Sequence, residues 1–136
     1  MFEQVKTFGN QIAPLDAWLV LRGLKTLSVR MKKHNENAIK VANWLRNQPK
    51  VKEVYFVGFE DHPQYNITKK QTNGFGGMIS FSVDNDETAK QILEKVDLIM
   101  FAESLGGTET LITYPLTQTH NSIPEEIRQK LGITGR

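Results

Sequence analysis

The residues best suited to chemistry in this sequence are Glu103 and Ser104, which are followed directly by Leu105-Gly106-Gly107. A carboxylate can act as a general acid or base when burial shifts its pKa, and a glycine pair lets backbone approach a ligand closely. The segment follows an apolar run, so the carboxylate stands where a predicted strand ends. Two interpretations fit these residues equally: the wall of a ligand pocket, or a glycine turn carrying a solvated glutamate.

The three histidines, His34, His62 and His120, offer weaker chemistry. They are 28 and 58 positions apart, so none has the short helical spacing with which two histidines bind one metal ion. We therefore expect no metal site. His34 lies on the apolar side of a predicted helix and is expected to be a partly buried histidine that pairs with a neighbour. A functional role stays open only for His120, which follows Thr119 in an irregular segment.

The composition limits the class of protein. The chain has 136 residues, of which 39% are hydrophobic and 24% charged, values typical of one soluble globular domain. No apolar run approaches the roughly 20 residues of a membrane-spanning helix, and the first residues do not resemble a signal peptide. The absence of cysteine excludes disulfides and thiolate metal ligands. We therefore expect a cytoplasmic protein that does not bind membranes.

Two features suggest nucleic-acid binding, but neither is sufficient. The basic residues Arg30, Lys32 and Lys33 lie on a predicted helix close to a glutamate, and they are interpreted as a solvated face. Segment 73–81 has the glycine-aromatic-glycine centre of the RNA-recognition motif, but Gly77 stands where one of its stacking aromatic residues is needed. The formal net charge of +2 is also small. No nucleic-acid partner is expected.

One long helix is predicted to begin at Pro14 and to end near Asn47. Apolar-face positions recur at alternating steps of four and three residues: Val20, Leu24, Leu27, Met31, His34, Ala38, Val41 and Leu45. This unbroken pattern predicts a single amphipathic helix. Gly23 lies within it at a cost of about 1 kcal/mol relative to alanine, which predicts that a neighbouring element or ligand packs closely there.

Beyond Pro49 the pattern changes to the alternation of strands. Strands are predicted over 51–57 and 78–83, with a short buried strand over 98–102 and another short strand near 109–113.

Two capping boxes predict further helices. Asp84 with Glu87 begins the first, and Ser122 with Glu125 begins the second, which Gly132 ends as its C′ residue. The element order predicts an α+β fold: a long N-terminal helix, then a small, mostly antiparallel sheet with helices on one face.

Three blocks of sequence are more specific than these patterns. They are residues 14–38, residues 74–81, and residues 102–112 with the following Pro115 and Thr119-His120. In order, they resemble the interdomain helix, the start of a small-domain strand, and the active-site loop of the cystathionine γ-synthase and γ-lyase family. The resemblance covers nearly the whole chain, in order and with ordinary spacing.

This resemblance implies a homotetrameric enzyme of fold type I that uses pyridoxal 5′-phosphate (PLP) as an electron sink. Such enzymes exchange or eliminate groups at the β or γ carbon of sulfur amino acids and homoserine esters. The resemblance places Glu103 facing the amino-acid substrate, Ser104 beside the substrate and the cofactor-bearing lysine, and Thr119 near the substrate carboxylate. Glutamate at position 103 favours γ chemistry, since β-lyases of the family tend to have an aromatic residue there.

Other family features have no counterpart in the sequence. The Schiff-base lysine of the family has no counterpart, since Thr68-Lys69-Lys70 matches only two residues of the sequence around that lysine. The last strand of the family's small domain, which contains an arginine, would begin after Gly135. We therefore expect the C-terminal part of such an enzyme. Residues 1–48 would be the end of the large domain with the interdomain helix, and residues 49–136 a small domain without its final strand and helix. Alone, the chain is predicted to be inactive and to bind no PLP.

A second hypothesis comes from the long helix alone. Because its four-three pattern is unbroken, the chain is alternatively a free-standing interaction module without catalysis, whose helix pairs with a partner. The same helix is expected to let the chain associate with itself.

Overall fold

The computed structural model describes residues 2–9 and 11–135, and these form six helices and four short strands. The elements are α1 (Phe2–Phe8), α2 (Pro14–Leu24), α3 (Leu27–Arg46), β1 (Val51–Tyr55), α4 (Tyr65–Gln71), β2 (Ser80–Val83), α5 (Asp86–Lys95), β3 (Met100–Phe101), β4 (Leu111–Ile112) and α6 (Glu125–Lys130). The α+β class is confirmed, while α1 and α4 were not expected from the sequence. None of the helices in these two ranges has the length and hydropathy to cross a membrane.

The long N-terminal helix is divided in two, so the prediction of one unbroken helix is wrong. Lys25 keeps a helical backbone (φ −58°, ψ −27°), whereas Thr26 departs from it (φ −108°, ψ 0°). The Thr26 N–H bonds to the Gly23 carbonyl at 3.4 Å, three residues back, as in a tight 3₁₀ turn. A two-residue break therefore separates α2 from α3.

Gly23 lies next to the end of α2 without close neighbours. A Cβ placed on it would have no heavy atom within 4 Å beyond its own helix backbone and chain neighbours, within the ranges described. No element of the described ranges packs closely on Gly23, so that part of the prediction is wrong, while close packing by a ligand stays a prediction. What the fold uses is its carbonyl, which accepts hydrogen bonds from Thr26 and Arg30.

The core lies where the second half of α3 packs against the strands that follow. Ala38 and Ala42 are almost fully buried (3% and 0% exposed), and Phe56 and Phe59 belong to the same cluster. The two phenyl rings meet edge to face, with 5.4 Å between their centroids. Small helix residues thus leave room for large rings. In contrast, no residue of α2 is buried.

The strands form two separate two-stranded sheets instead of one. β1 and β2 pair antiparallel, with Val54 opposite Phe81, which confirms the antiparallel sheet. β3 and β4 pair in parallel, with Met100 opposite Leu111. Met100 and Phe101 are each 48% exposed, so the prediction of a buried strand over 98–102 is wrong for the described structure, although a strand does form there.

The N-terminus of α5 is capped one residue later than predicted. The Asn85 side-chain oxygen accepts a hydrogen bond from the Thr88 N–H at 2.9 Å, which is the bond of an N-cap residue. Asp84 pairs instead with Lys52 at 2.7 Å. The prediction that Asp84 caps this helix is therefore wrong, whereas the prediction of the helix itself is confirmed.

The last helix, α6, differs from its prediction only at its start. It begins after Pro124 with no side-chain capping bond, so the Ser122 cap is wrong. Its end is as predicted: Gly132 has φ +73°, and its N–H bonds to the Gln129 carbonyl at 3.1 Å. The next N–H bonds to the Arg128 carbonyl at 2.9 Å, which completes a Schellman motif.

Candidate functional site

The segment from Glu103 to Gly107 leaves β3 and forms a loop before β4. The side chains of Glu103 and Ser104 are exposed, and within the residues described neither has a hydrogen-bond or ion-pair partner. Gly106 has φ +77°, a left-handed backbone conformation that glycine adopts without steric cost. The loop therefore turns at its glycines and leaves both polar side chains free to bind a further molecule.

The loop is attached to α3 through two main-chain oxygens. Arg30 Nη1 donates to the carbonyl of Gly106, and His34 Nε2 lies 2.9 Å from the carbonyl of Gly107. His34 is partly buried and paired with a neighbour, which confirms the expectation for this residue. The expectation that Arg30 lies on a solvated basic face is wrong, because it is partly buried and bonded.

The Arg30 guanidinium also bonds to the break between α2 and α3. Its Nη2 donates to the Gly23 carbonyl at 2.9 Å, and its Nε donates to Thr26 Oγ1 at 3.2 Å. A guanidinium has five N–H donors in a rigid planar arrangement, so one arginine can bond to several separate acceptors. Arg30 therefore contacts the end of α2, the break and the Glu103–Gly107 loop at once.

A second glycine-rich segment, 74–77, lies on the same part of α3. The Phe75 N–H donates to Asn35 Oδ1 at 2.7 Å, and a Cβ on Gly74 would lie 3.0 Å from that oxygen. A Cβ on Gly77 would lie 3.2 Å from His34 Nδ1. These glycines are needed for close approach, since 3.0–3.2 Å is tighter than ordinary side-chain contact. His34 thus lies between the two glycine-rich segments.

Sequence reasoning missed Arg30 and Asn35 as residues that position these segments. The signal for Arg30 was its i, i+4 spacing with His34, which places the two side chains on one face of a helix, whereas Asn35 has no such spacing with them. It was obscured because Arg30 stands beside two lysines and reads as part of a charged run.

Thr119 is the third candidate for substrate binding, and its one side-chain hydrogen bond within the described residues is with its neighbour. Its side chain is exposed, and its Oγ1 is 2.6 Å from Nδ1 of the adjacent His120. In the parts of the chain described, no hydrogen bond joins Thr119 to the Glu103–Gly107 loop. Glu103 and Ser104 share one loop, and a common site with Thr119 stays a prediction.

The segment after β4 is held by a buried phenol. Tyr114 is 8% exposed and donates its O–H to Asp86, which also pairs with Lys90 at 2.6 Å. Burial, together with the bond to Asp86 and its charge, raises the pKa of Tyr114 to about 12. Hydrogen bonds from Lys90 and Tyr114 hold the pKa of Asp86 below its usual value. This group links the segment after β4 to the first turn of α5.

The chemistry of the loop fits a substrate better than a metal or a covalently held cofactor. No cluster of three metal-binding side chains occurs in the ranges that the structure describes. Segment 102–112 contains two carboxylates and three hydroxyls, but no lysine whose amine would hold PLP as a Schiff base. These groups can bind the ammonium and polar groups of an amino acid. They do not fit the attachment of the cofactor.

Comparisons with known proteins place these features in a family. Residues 1–136 match the profile of the "Cys/Met metabolism PLP-dependent enzyme" family. The chain is 54% identical over 138 residues to a cystathionine beta-lyase of Coxiella burnetii, with 97% of this chain and 35% of the relative covered. It is 45% identical over 126 residues to a cystathionine gamma-lyase of Bacillus subtilis, covering 93% and 33%.

Solved structures agree with the sequence matches. Cystathionine gamma-lyase from Lactobacillus plantarum, in complex with L-serine, superposes with a TM-score of 0.85 at 42% identity, covering 94% of this chain and 34% of that one. Cystathionine gamma synthase from Xanthomonas oryzae, in complex with aminoacrylate and cysteine, gives 0.88 at 37% identity, covering 94% and 33%. The chain thus spans about a third of the length of the relatives that it matches. The profile match and these identities confirm the resemblance seen in three sequence blocks: the chain belongs to the Cys/Met metabolism PLP-dependent enzyme family.

Proposed function

We propose that this chain acts as the C-terminal part of a PLP-dependent trans-sulfuration enzyme, similar to cystathionine γ-synthase and γ-lyase. In this role it supplies the substrate side of a pocket, while the Schiff-base lysine and the cofactor lie on other residues. The observation that carries the proposal is the Glu103–Gly107 loop. It is attached to α3 by backbone oxygens, which leaves the side chains of Glu103 and Ser104 unpaired and exposed.

Glu103, Ser104 and Thr119 are proposed to bind the amino-acid substrate. In this assignment Glu103 faces the substrate, Ser104 lies beside the substrate and the cofactor-bearing lysine, and Thr119 lies near the substrate carboxylate. PLP, when bound, supplies the electron sink for the reaction. Relatives include enzymes named cystathionine beta-lyase and cystathionine gamma-lyase, so their names do not select the carbon at which the reaction occurs. We therefore base the choice of the γ carbon on the glutamate at position 103.

The exposed surface supports the view that more polypeptide covers this chain in the working enzyme. Its accessible surface is 10944 Å², whereas a compact monomer of 15.5 kDa is expected to expose about 7,200 Å². Much of the excess is apolar: Leu15, Trp18 and Leu21 of α2 are 67%, 59% and 62% exposed. We propose that residues 1–48 are the end of a large domain with the interdomain helix, that residues 49–136 belong to the small domain, and that the assembled enzyme is a homotetramer.

A chimera tests this function. Residues 1–136 would replace the matching third of the Coxiella burnetii cystathionine beta-lyase, with which they share 54% identity. We expect the chimera to show the absorbance of bound PLP and to cleave cystathionine. Glu103→Ala and Ser104→Ala are each expected to lower kcat/KM at least about tenfold, because each removes a substrate contact of about 1.4 kcal/mol or more. The isolated chain is expected to show neither activity nor the absorbance.

Glu94→Ala is the matched control, since Glu94 is an exposed glutamate on α5. It is expected to leave kcat/KM unchanged. A folded chimera without the absorbance of PLP, or Glu103 and Ser104 variants as active as the Glu94 variant, would refute the proposed function.

The exposed face of α2 also favours the alternative of an interaction module that pairs through its helices. The break at Lys25–Thr26 counts against it, because a coiled coil needs three to four heptads of continuous helix and α2 has only 11 residues. Sedimentation of the isolated chain separates the two. We expect weak, concentration-dependent association through exposed apolar surface, whereas a well-defined dimer that forms without any other polypeptide would favour the module.

A further inference from the structure

We propose that Arg30 is a positioning residue for the candidate substrate pocket, because its guanidinium fixes the Glu103–Gly107 loop on α3 and links that loop to the break between α2 and α3. The effect on substrate binding rests on the proposed function. The effect on the loop itself does not, because it concerns contacts within this chain.

The geometry of Arg30 is that of a connecting residue. Its three guanidinium nitrogens donate to oxygens on three different segments: the Gly106 carbonyl in the loop, the Gly23 carbonyl at the end of α2 (2.9 Å), and Thr26 Oγ1 in the break (3.2 Å). Throughout the described ranges no carboxylate pairs with Arg30. Its charge is therefore offset by neutral oxygens, and the guanidinium acts through geometry more than through ion pairing.

The break provides the oxygen that makes this link. In a continuous helix the Gly23 carbonyl would accept from the N–H of residue 27, but α3 begins only at that residue. The carbonyl accepts instead from Thr26, at 3.4 Å from both N and Oγ1, and from Arg30 at the shorter distance of 2.9 Å. A change in the angle between α2 and α3 would therefore move an atom to which Arg30 is bonded.

The loop has few other bonds to the helix. Besides Arg30, only His34 joins α3 to the loop in the parts of the chain described, through the Gly107 carbonyl. The two carbonyls belong to consecutive glycines, whose backbone is conformationally free when nothing fixes it. Because a misplacement of about 1 Å at a substrate-binding group can cost about a hundredfold in rate, fixing these carbonyls determines how Glu103 and Ser104 are presented.

The direct test is backbone mobility in this chain. We expect ¹⁵N order parameters of Gly106 and Gly107 to be near the rigid value of about 0.85 in the unmodified chain and to fall toward about 0.6 in Arg30→Met. Arg30→Lys is expected to give intermediate values, since one ammonium cannot bond to all three oxygens.

The matched control is Arg46→Met, at the other end of α3. The Arg46 guanidinium binds both carboxylate oxygens of Asp61 at 2.8 and 2.9 Å and lies 3.4 Å above the Phe59 ring, so it makes comparable contacts away from the loop. It is expected to lower stability without changing the order parameters of the two glycines. Rigid glycines in both Arg30 variants, or equal mobility in Arg46→Met, would overturn the proposal.

The chimera described above measures the consequence for the pocket. Arg30→Met is expected to raise the KM for cystathionine about tenfold, with a smaller change in kcat and the absorbance of PLP retained, while Arg46→Met leaves kcat/KM unchanged. An unchanged KM in Arg30→Met would overturn the link to the pocket. A chimera that binds no PLP would refute the proposed function instead, and the order parameters would still decide the role of Arg30.

Discussion

Phe56→Ala is expected to lower the free energy of unfolding of this chain by about 3–5 kcal/mol, a large part of the about 5–15 kcal/mol that is typical of folded proteins. Phe56 is 2% exposed and is the largest fully buried side chain in the described ranges. Its ring contacts those of Phe59 and Phe75, with centroids 5.4 and 6.5 Å away. Gly58 also lies against it, too close for a Cβ. Truncation would therefore leave a cavity between α3 and the β1–β2 sheet.

Urea denaturation followed by circular dichroism measures this effect. Phe8→Ala is the matched control, because Phe8 is 73% exposed and its removal is expected to change stability by less than about 0.5 kcal/mol. Phe56→Leu refills much of the cavity and is expected to recover more than half of the loss. Similar losses at Phe8 and Phe56 would mean that this cluster is not the centre of the core.

The second large effect is a loss of stability at high pH that depends on Tyr114. Burial is the main cause that raises the pKa of this phenol from 10.0 to about 12. The unfolded chain therefore loses the phenol proton at a lower pH than the folded chain does. The stability that the shifted pKa of Tyr114 contributes is complete below pH 10 and is lost as the pH rises toward about 12. The free energy of unfolding then falls by about 2–3 kcal/mol, at about 1.4 kcal/mol per pKa unit.

Tyr114→Phe is expected to remove this pH dependence. At pH 8 the variant is expected to be about 1 kcal/mol less stable, because the bond to Asp86 is lost while solvent still reaches that carboxylate, whose side chain is 45% exposed. From pH 10 upward the difference from the unmodified chain shrinks and then reverses.

Urea titrations at pH 8, 10 and 11 give the free energies of unfolding of the unmodified chain and of Tyr114→Phe. The other tyrosines and the lysines titrate in both proteins, so their effect cancels in the difference between the two free energies. Asp86→Asn is the second variant. It removes the charge of the carboxylate and keeps an oxygen that can accept from Tyr114, so most of the alkaline loss should remain, since burial is the largest cause. Parallel pH curves for the unmodified chain and Tyr114→Phe would contradict the assignment.

The helical periodicity predicted part of the core face of α3 but not the break that precedes it: Val41 belongs to the pattern and is 47% exposed, whereas Ala42 lies outside it and is 0% exposed. Ala38 and Leu45 belong to the four-three pattern, and both are buried. The break escaped detection because Lys25 remains in the helical region and only Thr26 departs from it. The apolar spacing therefore continues across the turn, and periodicity alone cannot reveal a single non-helical residue.

The apolar run over 98–102 shows a different limit of sequence patterns. It predicted the strand correctly, yet Met100 and Phe101 are each 48% exposed. An apolar run indicates that something covers the strand, and within the described residues no second layer does so. The predicted cap of α5 failed for a more local reason, because the neighbouring polar residues Asp84 and Asn85 can each serve as a cap, and only the backbone angles select one. The predicted cap of α6 failed because that helix begins after Pro124 without a side-chain capping bond.

The side chains of the candidate site are proposed from the sequence, whereas their attachment to α3 could not be predicted from it. Glu103 and Ser104 are recognisable from their residue types, the adjacent glycines and the preceding apolar run. Arg30 is not recognisable in this way, because two of its three partners are the main-chain carbonyls of Gly23 and Gly106, which leave no specific signature in the sequence.

This mode of attachment has a consequence for protein engineering. Within the loop, Arg30 and His34 bond to the backbone oxygens of Gly106 and Gly107, and in the described part of the chain no side chain of residues 103–105 helps to hold the loop on α3. A library randomised at these three positions should therefore keep the loop in place while it varies the groups offered to a substrate. Such a library can be screened for altered substrate preference without redesigning the helix beneath it.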